Sequence, residues 1–341
     1  MLGSLRTGFF PILILVLFVV SAFAKAQKVL SDSLYIESFV DKIIVKANMD
    51  TEIDRYNFSA GTEDRLNLVT NNQYRFYLSL DYEFIGASVG FAPKFLPDNN
   101  DDDLKGASEL SDIQFRFFLG NWTQELEYKR LKGFYVENTE DFLANWQRNV
   151  DPYIQLPDFQ SHYYGGSTAY VLNPKFSLRN VVYNTEWQLK SAGSFVPTLE
   201  YGYTRLTVPI NDVEEFENNF DLALSPAYYH TFVLNRSWFA ALSAGPSAGI
   251  RFTNNGAVNS STRERNTYFP LGFKTVAQLG YSSKKIIFGA NFNFAYQHLS
   301  EENSSSLENS ITYFKIYFGY RFNAPEFIAK PFTKLNAFLG L

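Results

Sequence analysis

The sequence predicts an all-β protein that forms a transmembrane antiparallel up-and-down β-barrel of about 12 strands. Three observations predict this fold: a heavy aromatic content, apolar residues at every second position, and connections that alternate between short and long. The chain has 34 Phe, 22 Tyr and 4 Trp among 341 residues, as two aromatic girdles and a lipid-facing band require. Its mean hydropathy is -0.17, which opposes a helical membrane protein, because only a barrel crosses lipid with every second residue polar.

The N-terminus has the features of a secretory signal peptide. Arg6 supplies a positive charge, residues 9–20 are apolar, and Ala24-Lys25-Ala26 forms a cleavage site of the A-x-A type before Gln27. The alternative is a membrane anchor, but the apolar stretch at 9–24 is shorter than the roughly 20 residues that a helix needs to cross a bilayer. We therefore predict a signal peptide at residues 1–26. The absence of Cys excludes a lipidated N-terminus and disulfide bonds.

Period-two alternation predicts the individual strands. The clearest segment is 74–84, in which Tyr74, Phe76 and Leu78 begin one apolar face and Arg75 and Ser79 lie on the other. Its length fits a tilted membrane strand, which needs roughly 9 to 11 residues. The same pattern predicts twelve strands in all, at 43–49, 74–84, 85–91, 113–119, 122–128, 181–189, 195–203, 220–232, 238–250, 269–281, 286–296 and 312–322. An even number places both chain ends on one side of the membrane.

The connections between these strands alternate in length, as they do in outer-membrane barrels. Short turns are predicted near 85–86, 120–121, 191–193, 235–237 and 282–284, and long polar loops at 50–72, 96–110, 132–174, 207–219, 253–266 and 298–309. With a periplasmic N-terminus, every long loop lies outside the cell. A soluble β-protein is the alternative, but a closed ring of this size would enclose more space than side chains fill, since about eight strands already reach that limit.

The predicted organisation is therefore a signal peptide at 1–26, a barrel at 27–323 and a periplasmic C-terminal extension at 324–341. In the extension, Pro325 and Pro331 end strand pairing because proline has no backbone N–H to donate.

Two stretches resemble a known family. They are Asn72-Gln73-Tyr74 through Phe91, and Asn173-Pro174-Lys175-Phe176-Ser177 continuing through Glu186 and Gln188 to Lys190-Ser191-Ala192-Gly193-Ser194. Both are similar to the domain-of-unknown-function family 4421 of Bacteroidetes, and the resemblance covers most of residues 40–323. It implies an outer-membrane β-barrel of a Gram-negative cell and supplies no activity.

Charged residues of both signs fall on the faces predicted to point inward. These lumen-facing candidates are Arg75, Asp81, Glu83, Arg116, Glu125, Glu127, Lys129, Glu186, Lys190, Glu200, Arg251, Lys274, Lys315 and Arg321. They could line a polar pore or a ligand-binding lumen, or they could form a salt-bridged plug that only satisfies buried charges. The near balance of the two signs argues against a strongly ion-selective channel.

Three other residue patterns are weaker evidence for a functional site or a local structure. Asp98, Asn100, Asp102 and Glu109 have the spacing of a calcium loop, but Asp103 stands where such a loop requires Gly. His298 lies close to Ser300, a pair that could belong to a serine hydrolase. Residues 140–148 could form a short helix that covers the barrel mouth. None of these patterns is specific, and we predict no catalytic residue, no metal site and no cofactor.

The leading function is a passive, porin-like small-molecule channel or ligand-binding barrel. The alternatives are a structural or assembly platform that binds a partner through its outer loops or tail, and an outer-membrane lipid hydrolase. The expected partners are the lipid bilayer of the outer membrane, the barrel-insertion machinery and a small polar solute. A net charge of -5 argues against a nucleic-acid partner.

Overall fold

The structure, a computed structural model, describes residues 33–60, 64–210, 213–258, 260, 262–300 and 306–339. The predicted signal peptide lies outside the described residues. The two α-helices of the described part are α1 (Asp102–Lys105) and α2 (Glu326–Leu339). Its strands are β1 (Ile36–Ser38), β2 (Lys42–Asp50), β3 (Arg55–Ala60), β4 (Asp64–Val69), β5 (Arg75–Tyr82), β6 (Ile85–Phe91), β7 (Glu109–Leu119), β8 (Trp122–Val136), β9 (Gln155–Tyr170), β10 (Glu186–Gln188), β11 (Ala192–Val196), β12 (Thr198–Ile210), β13 (Val213–Leu224), β14 (Ala227–Val233), β15 (Trp238–Ala257), β16 (Glu264–Ser282), β17 (Ile286–Ser300) and β18 (Ser306–Asn323).

Twelve antiparallel strands close into a ring. The order is β2-β5-β6-β7-β8-β9-β12-β13-β15-β16-β17-β18, and β18 pairs with β2 to complete it. Two positions of the ring are interrupted, at Pro197 between β11 and β12 and at Pro226 between β13 and β14, where proline lacks the N–H that the ladder needs. Beyond these breaks β11 pairs with β14, and β14 with β15. The predicted fold class, a barrel of about 12 strands, is confirmed.

The ring has two different ends. At the end that we call the turn end, strands are joined near 83–84, 120–121, 234–237 and 283–285, and β2 begins and β18 ends there. At the opposite, loop end, longer segments connect β2 to β5, β6 to β7 and β8 to β9. Which end faces the periplasm stays a prediction.

Three of the predicted long loops are mostly strand. The pairing of β12 with β13 continues to Ile210 and Val213, that of β15 with β16 to Asn255 and Glu264, and that of β17 with β18 to Ser300 and Ser306. The loops predicted at 207–219, 253–266 and 298–309 are therefore wrong. The polar residues misled the prediction, because a hairpin that extends into water can carry polar side chains on both faces while its partner strand satisfies the backbone.

One predicted strand is also wrong. Residues 181–189 are not part of the ring; its place is taken by β9, which lies inside the loop predicted at 132–174. β9 is poor in apolar residues and contains Gly165 and Gly166. A Cβ atom on Gly166 would lie 2.1 Å from the carbonyl oxygen of Glu125, so glycine allows the close approach of β8. The alternation of apolar residues that predicts strands is therefore weak in β9, although β9 is a wall strand.

The outer face of the ring is apolar. Large hydrophobic side chains are exposed at alternating positions, among them Leu78 and Leu80 on β5, and Phe314, Ile316 and Phe318 on β18. Such a continuous apolar surface is what a transmembrane barrel presents to lipid. Near the turn end it is bordered by aromatic clusters, Trp122 with Tyr170 and Trp238 with Tyr281 and Phe288. Within the described residues, no helix is long and apolar enough to cross a membrane.

Two pieces of the chain fold into the ring. From the turn end, residues 171–191, which we call the inner segment, carry a π-helical turn at Arg179–Tyr183 and pair through β10 with β1. Near the loop end, the β3–β4 hairpin packs against the ends of β8, β9 and β12, with Leu68, Leu131, Phe134, Phe159 and Leu206 in one buried cluster. The lumen is therefore narrowed from both ends.

Candidate functional site: the barrel lumen

The structure places eleven of the fourteen lumen-facing candidates on the inner face of the ring strands. They are Arg75, Asp81, Arg116, Glu125, Glu127, Lys129, Glu200, Arg251, Lys274, Lys315 and Arg321. They arrive there because side chains alternate between the two faces of a strand, and the apolar neighbours face outward.

The other three lie elsewhere. Glu83 is in the β5–β6 turn with φ of 55°, because the strand predicted at 74–84 ends at Tyr82. Glu186 belongs to β10 of the inner segment rather than to the wall. Lys190 is exposed at the turn end, with its ammonium 5.2 Å from the ring centre of Tyr35. The last two were misplaced because residues 181–189 were predicted to be a wall strand.

Near the turn end the lumen contains a buried ionic cluster. The Arg116 Nε donates to Asp81 Oδ1 at 2.9 Å, and the Lys46 Nζ lies 3.8 Å from Asp81 Oδ2. The Asp81 side chain is only 2 % exposed, so each charge depends on its partners rather than on water. The sequence analysis missed Lys46, although the alternation of Val45, Ala47 and Met49 with polar residues on β2 would have indicated it.

The inner segment docks on this cluster through its backbone. The Arg321 Nη2 donates to the carbonyl oxygen of Asn184 at 2.9 Å, and the Lys46 Nζ donates to that of Tyr183. In return, the Tyr183 hydroxyl donates to Glu125 Oε2 at 3.1 Å, and its ring packs on Phe118 with centres 5.0 Å apart. Charged side chains of the wall thus satisfy the end of the π-helical turn, where helical carbonyls have no partner of their own.

The inner segment also has its own hydrogen-bond network. The Gln188 Nε2 donates to the carbonyl oxygens of Lys175 and Lys190 at 2.7 and 3.0 Å, and Gln188 Oε1 accepts from the backbone N–H of Ser177 at 2.8 Å. The Ser177 hydroxyl donates to Glu186 Oε2 at 2.6 Å, and the Asn173 Nδ2 donates to the carbonyl of Gly193 at 2.8 Å. The second of the two stretches that carry the family resemblance therefore builds the inner segment, whereas the first forms β5 and β6 of the wall.

Toward the loop end, the lumen is richer in carboxylates. Arg75 faces three of them: its nearest nitrogens lie 3.8 Å from Asp50, 3.7 Å from Glu52 and 3.3 Å from Asp54. Asp54 also accepts from the Lys129 Nζ at 2.7 Å. Because Arg75 and Lys129 lie on β5 and β8, the segment after β2 reaches across the inside of the ring. Asp50, Glu52 and Asp54 escaped the sequence analysis because most of that segment was predicted to be an outer loop.

The opposite side of the lumen is accessible to solvent. On the wall formed by β12, β13, β15 and β16, Lys274 pairs with Glu200 at 2.5 Å and Arg251 pairs with Asp221 at 2.6 Å. The Lys274 and Glu200 side chains keep 45 % and 35 % of their surface exposed, in contrast to the buried Asp81–Arg116 pair. Inward-facing charges with this exposure mean that the lumen holds open, polar space on this side.

Two of the remaining patterns from the sequence, the calcium-loop spacing and the predicted helix at 140–148, do not form in the described residues. Asp102 pairs with Lys94 at 2.8 Å, whereas Glu109 pairs with Arg130 at 3.4 Å, so the oxygens of the supposed calcium loop do not converge. In the described part of the chain, no group of three or more His, Asp or Glu residues is arranged to hold a metal ion. Residues 140–148 contain the end of a single 3-10 turn, Thr139–Asp141, in place of the predicted helix.

The chain was compared with protein families, with curated proteins and with solved structures. A family model described as "Domain of unknown function (DUF4421)" matches residues 30–322. No curated protein matches the chain. Among solved structures, OmpT of Vibrio cholerae is 10% identical over 83% of this chain and 97% of its own, with a TM-score of 0.32. The outer membrane protease OmpT from Escherichia coli is 7% identical over 84% and 97%, with a TM-score of 0.32. The CymD monoaromatic hydrocarbon channel is 9% identical over 83% and 89%, with a TM-score of 0.30.

Proposed function

The chain belongs to the family described as domain of unknown function DUF4421, and because that family has no assigned activity, we propose a function from the lumen itself. The protein is a solute-binding barrel of the outer membrane that admits small polar molecules from the loop end. The inner segment closes its turn end, and passage requires this segment to move. The barrel binds and conducts without catalysis, and it reaches the membrane after signal-peptide export.

One observation carries the proposal: inward-facing charges differ sharply in exposure between the two parts of the lumen. Lys274 and Glu200 remain accessible, whereas Asp81 and Arg116 are sealed beneath the inner segment. An accessible polar chamber next to a sealed end is the geometry of a binding site with a closed exit. A plug that only satisfied buried charges would leave no charged pair in contact with solvent.

The charges around the whole lumen, buried ones included, set the potential that a solute meets as it enters the chamber. The carboxylates of Asp50, Glu52, Asp54, Asp112 and Glu127 outnumber the nearby cations Arg75, Lys129 and Lys315 toward the loop end. Nearer the turn end, Lys46, Arg116, Arg179 and Arg321 accompany Asp81, Glu125 and Glu186. A cation or a zwitterion that enters amine first would meet complementary charge, so we expect arginine and glycine to enter more readily than glutamate.

Liposome swelling tests the proposal. Proteoliposomes are exposed to iso-osmotic glycine, arginine or glutamate, and the wild type should swell slowly because the inner segment blocks the exit. The double variant Lys46→Met with Arg321→Met removes two wall donors that hold the carbonyls of Tyr183 and Asn184. It should swell at least several times faster, because each lost hydrogen bond holds the inner segment by about 0.5–1.5 kcal/mol.

Lys274→Met is the matched control, because it removes a lumen charge that does not contact the inner segment. It should swell at the wild-type rate for an uncharged sugar and change only the preference among charged solutes. Heat-modifiable gel migration confirms folding of each variant. If the double variant is folded and as impermeable as the wild type, and neither binds solute by calorimetry, the protein is not a solute barrel. Release of fatty acid from vesicles by the wild type would make it a hydrolase instead.

A further inference from the structure

The C-terminal helix α2 is attached to the outside of the barrel at the turn end. The Phe332 ring lies 4.9 Å from that of Tyr82 and 6.0 Å from that of Phe84, measured between ring centres. The Asn336 Nδ2 donates to Glu83 Oε2 at 3.2 Å. Tyr82 continues the outer face of β5 that carries Leu78 and Leu80, yet it is buried, because Phe332 covers it. The helix therefore lies beside the lower edge of the lipid-facing band.

The helix has a second apolar stripe that nothing in the described chain covers. Phe327, Pro331 and Leu335 follow each other at four-residue spacing, which places them on one face. Phe327 is 77 % exposed, and Leu335 is also exposed. The polar face next to this stripe carries Glu326, Lys330 and Thr333, and Lys334 lies at its boundary with Phe327. The Lys330 Nζ lies 2.6 Å from Glu326 Oε2. The helix is thus amphipathic on the side that it does not use to hold the barrel.

The position of α2 identifies what covers this stripe. Its anchoring residue Phe332 sits on Tyr82, at the boundary between the apolar outer face and the turn end. Around the ring, the same boundary is marked by Trp122 and Trp238 with their aromatic neighbours. Tryptophan and tyrosine prefer the level of lipid headgroups, so α2 lies at that level. A helix in this position meets acyl chains on its apolar face, and its lysines meet phosphate groups.

We propose that α2 is an interfacial helix that inserts Phe327 and Leu335 into the bilayer leaflet at the turn end while Lys330 and Lys334 contact lipid phosphates. Because α2 leaves β18 and packs on the β5–β6 turn, it passes the end of β2, which lies between them in the ring. It therefore also bridges the seam at which the first and last strands of the ring pair, and holds that seam at a defined depth in the membrane. This role is independent of any solute that the lumen binds.

Single-cysteine labelling tests the proposal, since the natural chain has no Cys. Phe327→Cys is placed on the apolar stripe, and Thr333→Cys is the matched control on the polar face of the same helix. Each variant is labelled with an environment-sensitive fluorophore and reconstituted in vesicles of phosphatidylcholine and phosphatidylglycerol. At position 327 the emission should shift to the blue and lose most of its intensity when the acyl chains carry bromine. At position 333 the emission maximum should stay at the wavelength that the fluorophore has in water.

Three further results separate the outcomes. Bromine quenching at position 327 that is independent of protein density in the vesicles supports lipid as the occupant. A blue shift without bromine quenching, or one that grows with protein density, means that a second copy covers the stripe and overturns the proposal. Water-like emission at both positions overturns it as well. Lys330→Glu with Lys334→Glu should weaken quenching at position 327 more in vesicles rich in phosphatidylglycerol than in pure phosphatidylcholine. Equal effects in both lipids would contradict the proposed contact of the lysines with lipid phosphates.

Discussion

Neighbouring residues on one strand give the sharpest contrast between the two faces of the wall. Phe292 and Asn293 are adjacent on β17, where Phe292 is exposed on the outer face and Asn293 points inward. Phe292→Arg should lower the free energy of unfolding by about 2–4 kcal/mol, because it places a charge in the lipid-facing band. Asn293→Arg should cost less, since the lumen is polar. Urea unfolding in vesicles, followed by gel migration, measures both; equal losses would mean that the face assignment is wrong.

The buried Asp81–Arg116 pair should be far more sensitive than an ion pair outside the lumen. Arg116→Met leaves the Asp81 carboxylate with only Lys46, at 3.8 Å, as its counter-ion, and removing one partner of a buried pair costs about 3–5 kcal/mol. Arg130→Met is the control, because Arg130 pairs with Glu109 in an exposed position, and such pairs contribute about 0–1 kcal/mol. The same urea titration measures both variants. A small loss for Arg116→Met would show that the lumen cluster is hydrated.

At the scale of elements, the stability of the β5–β6 turn beneath α2 should depend on pH through Glu83. Burial raises the pKa of the Glu83 carboxyl above its ordinary value near 4.5, and Asp41 raises it further, while the hydrogen bond from Asn336 and the charge of Arg179 lower it. An acid whose folded pKa is raised stabilises the folded state when protonated. That contribution is complete below its ordinary pKa and is lost as the pH rises through the raised value.

We therefore expect Glu83 to contribute more to the free energy of unfolding as the pH falls from neutral toward 4.5. Urea unfolding of the wild type and of Glu83→Gln, compared at each pH over this range, measures the contribution of Glu83. Glu83→Gln should remove this pH dependence because an amide does not titrate, and the amide oxygen can still accept the hydrogen bond of Asn336. A wild-type profile in Glu83→Gln would assign the effect to another group.

At the scale of the whole molecule, the predicted orientation places the loop end outside the cell. Cysteines introduced at Asn100 and Ala144, which are exposed near the loop end, should react with an impermeant maleimide on intact cells. Cysteines at Arg236 and Lys284, exposed in the turns between β14 and β15 and between β16 and β17, should react only after lysis. The reverse pattern would invert the barrel, and equal labelling at all four positions would contradict a membrane-spanning ring.

The sequence alone determined the class of fold and most of the wall. Alternation at 74–84 predicted the inner Arg75 and Asp81 and the outer Leu78 and Leu80, because a strand between lipid and a polar lumen must change polarity at every residue. That constraint is local, so it is visible in a single stretch of chain. The aromatic content indicated that the barrel lies in a membrane, and the short turns helped to predict an even number of strands. Both signals can likewise be read from the sequence without knowledge of distant contacts.

Only the tertiary structure decided which segments fill the lumen. Residues 181–189 alternate like a wall strand, but they pack inside the ring, where Val181 and Tyr183 are buried by distant residues such as Phe118 and Phe239. Alternation tells which residues share a face, and it does not tell which surface that face meets. β9 shows the converse, since its place in the wall depends on pairing with β8 and β12 rather than on its own weak pattern. The meeting of Asp54 with Arg75 and Lys129 likewise joins three segments that are far apart in the chain, and such contacts exist only once the ring has closed.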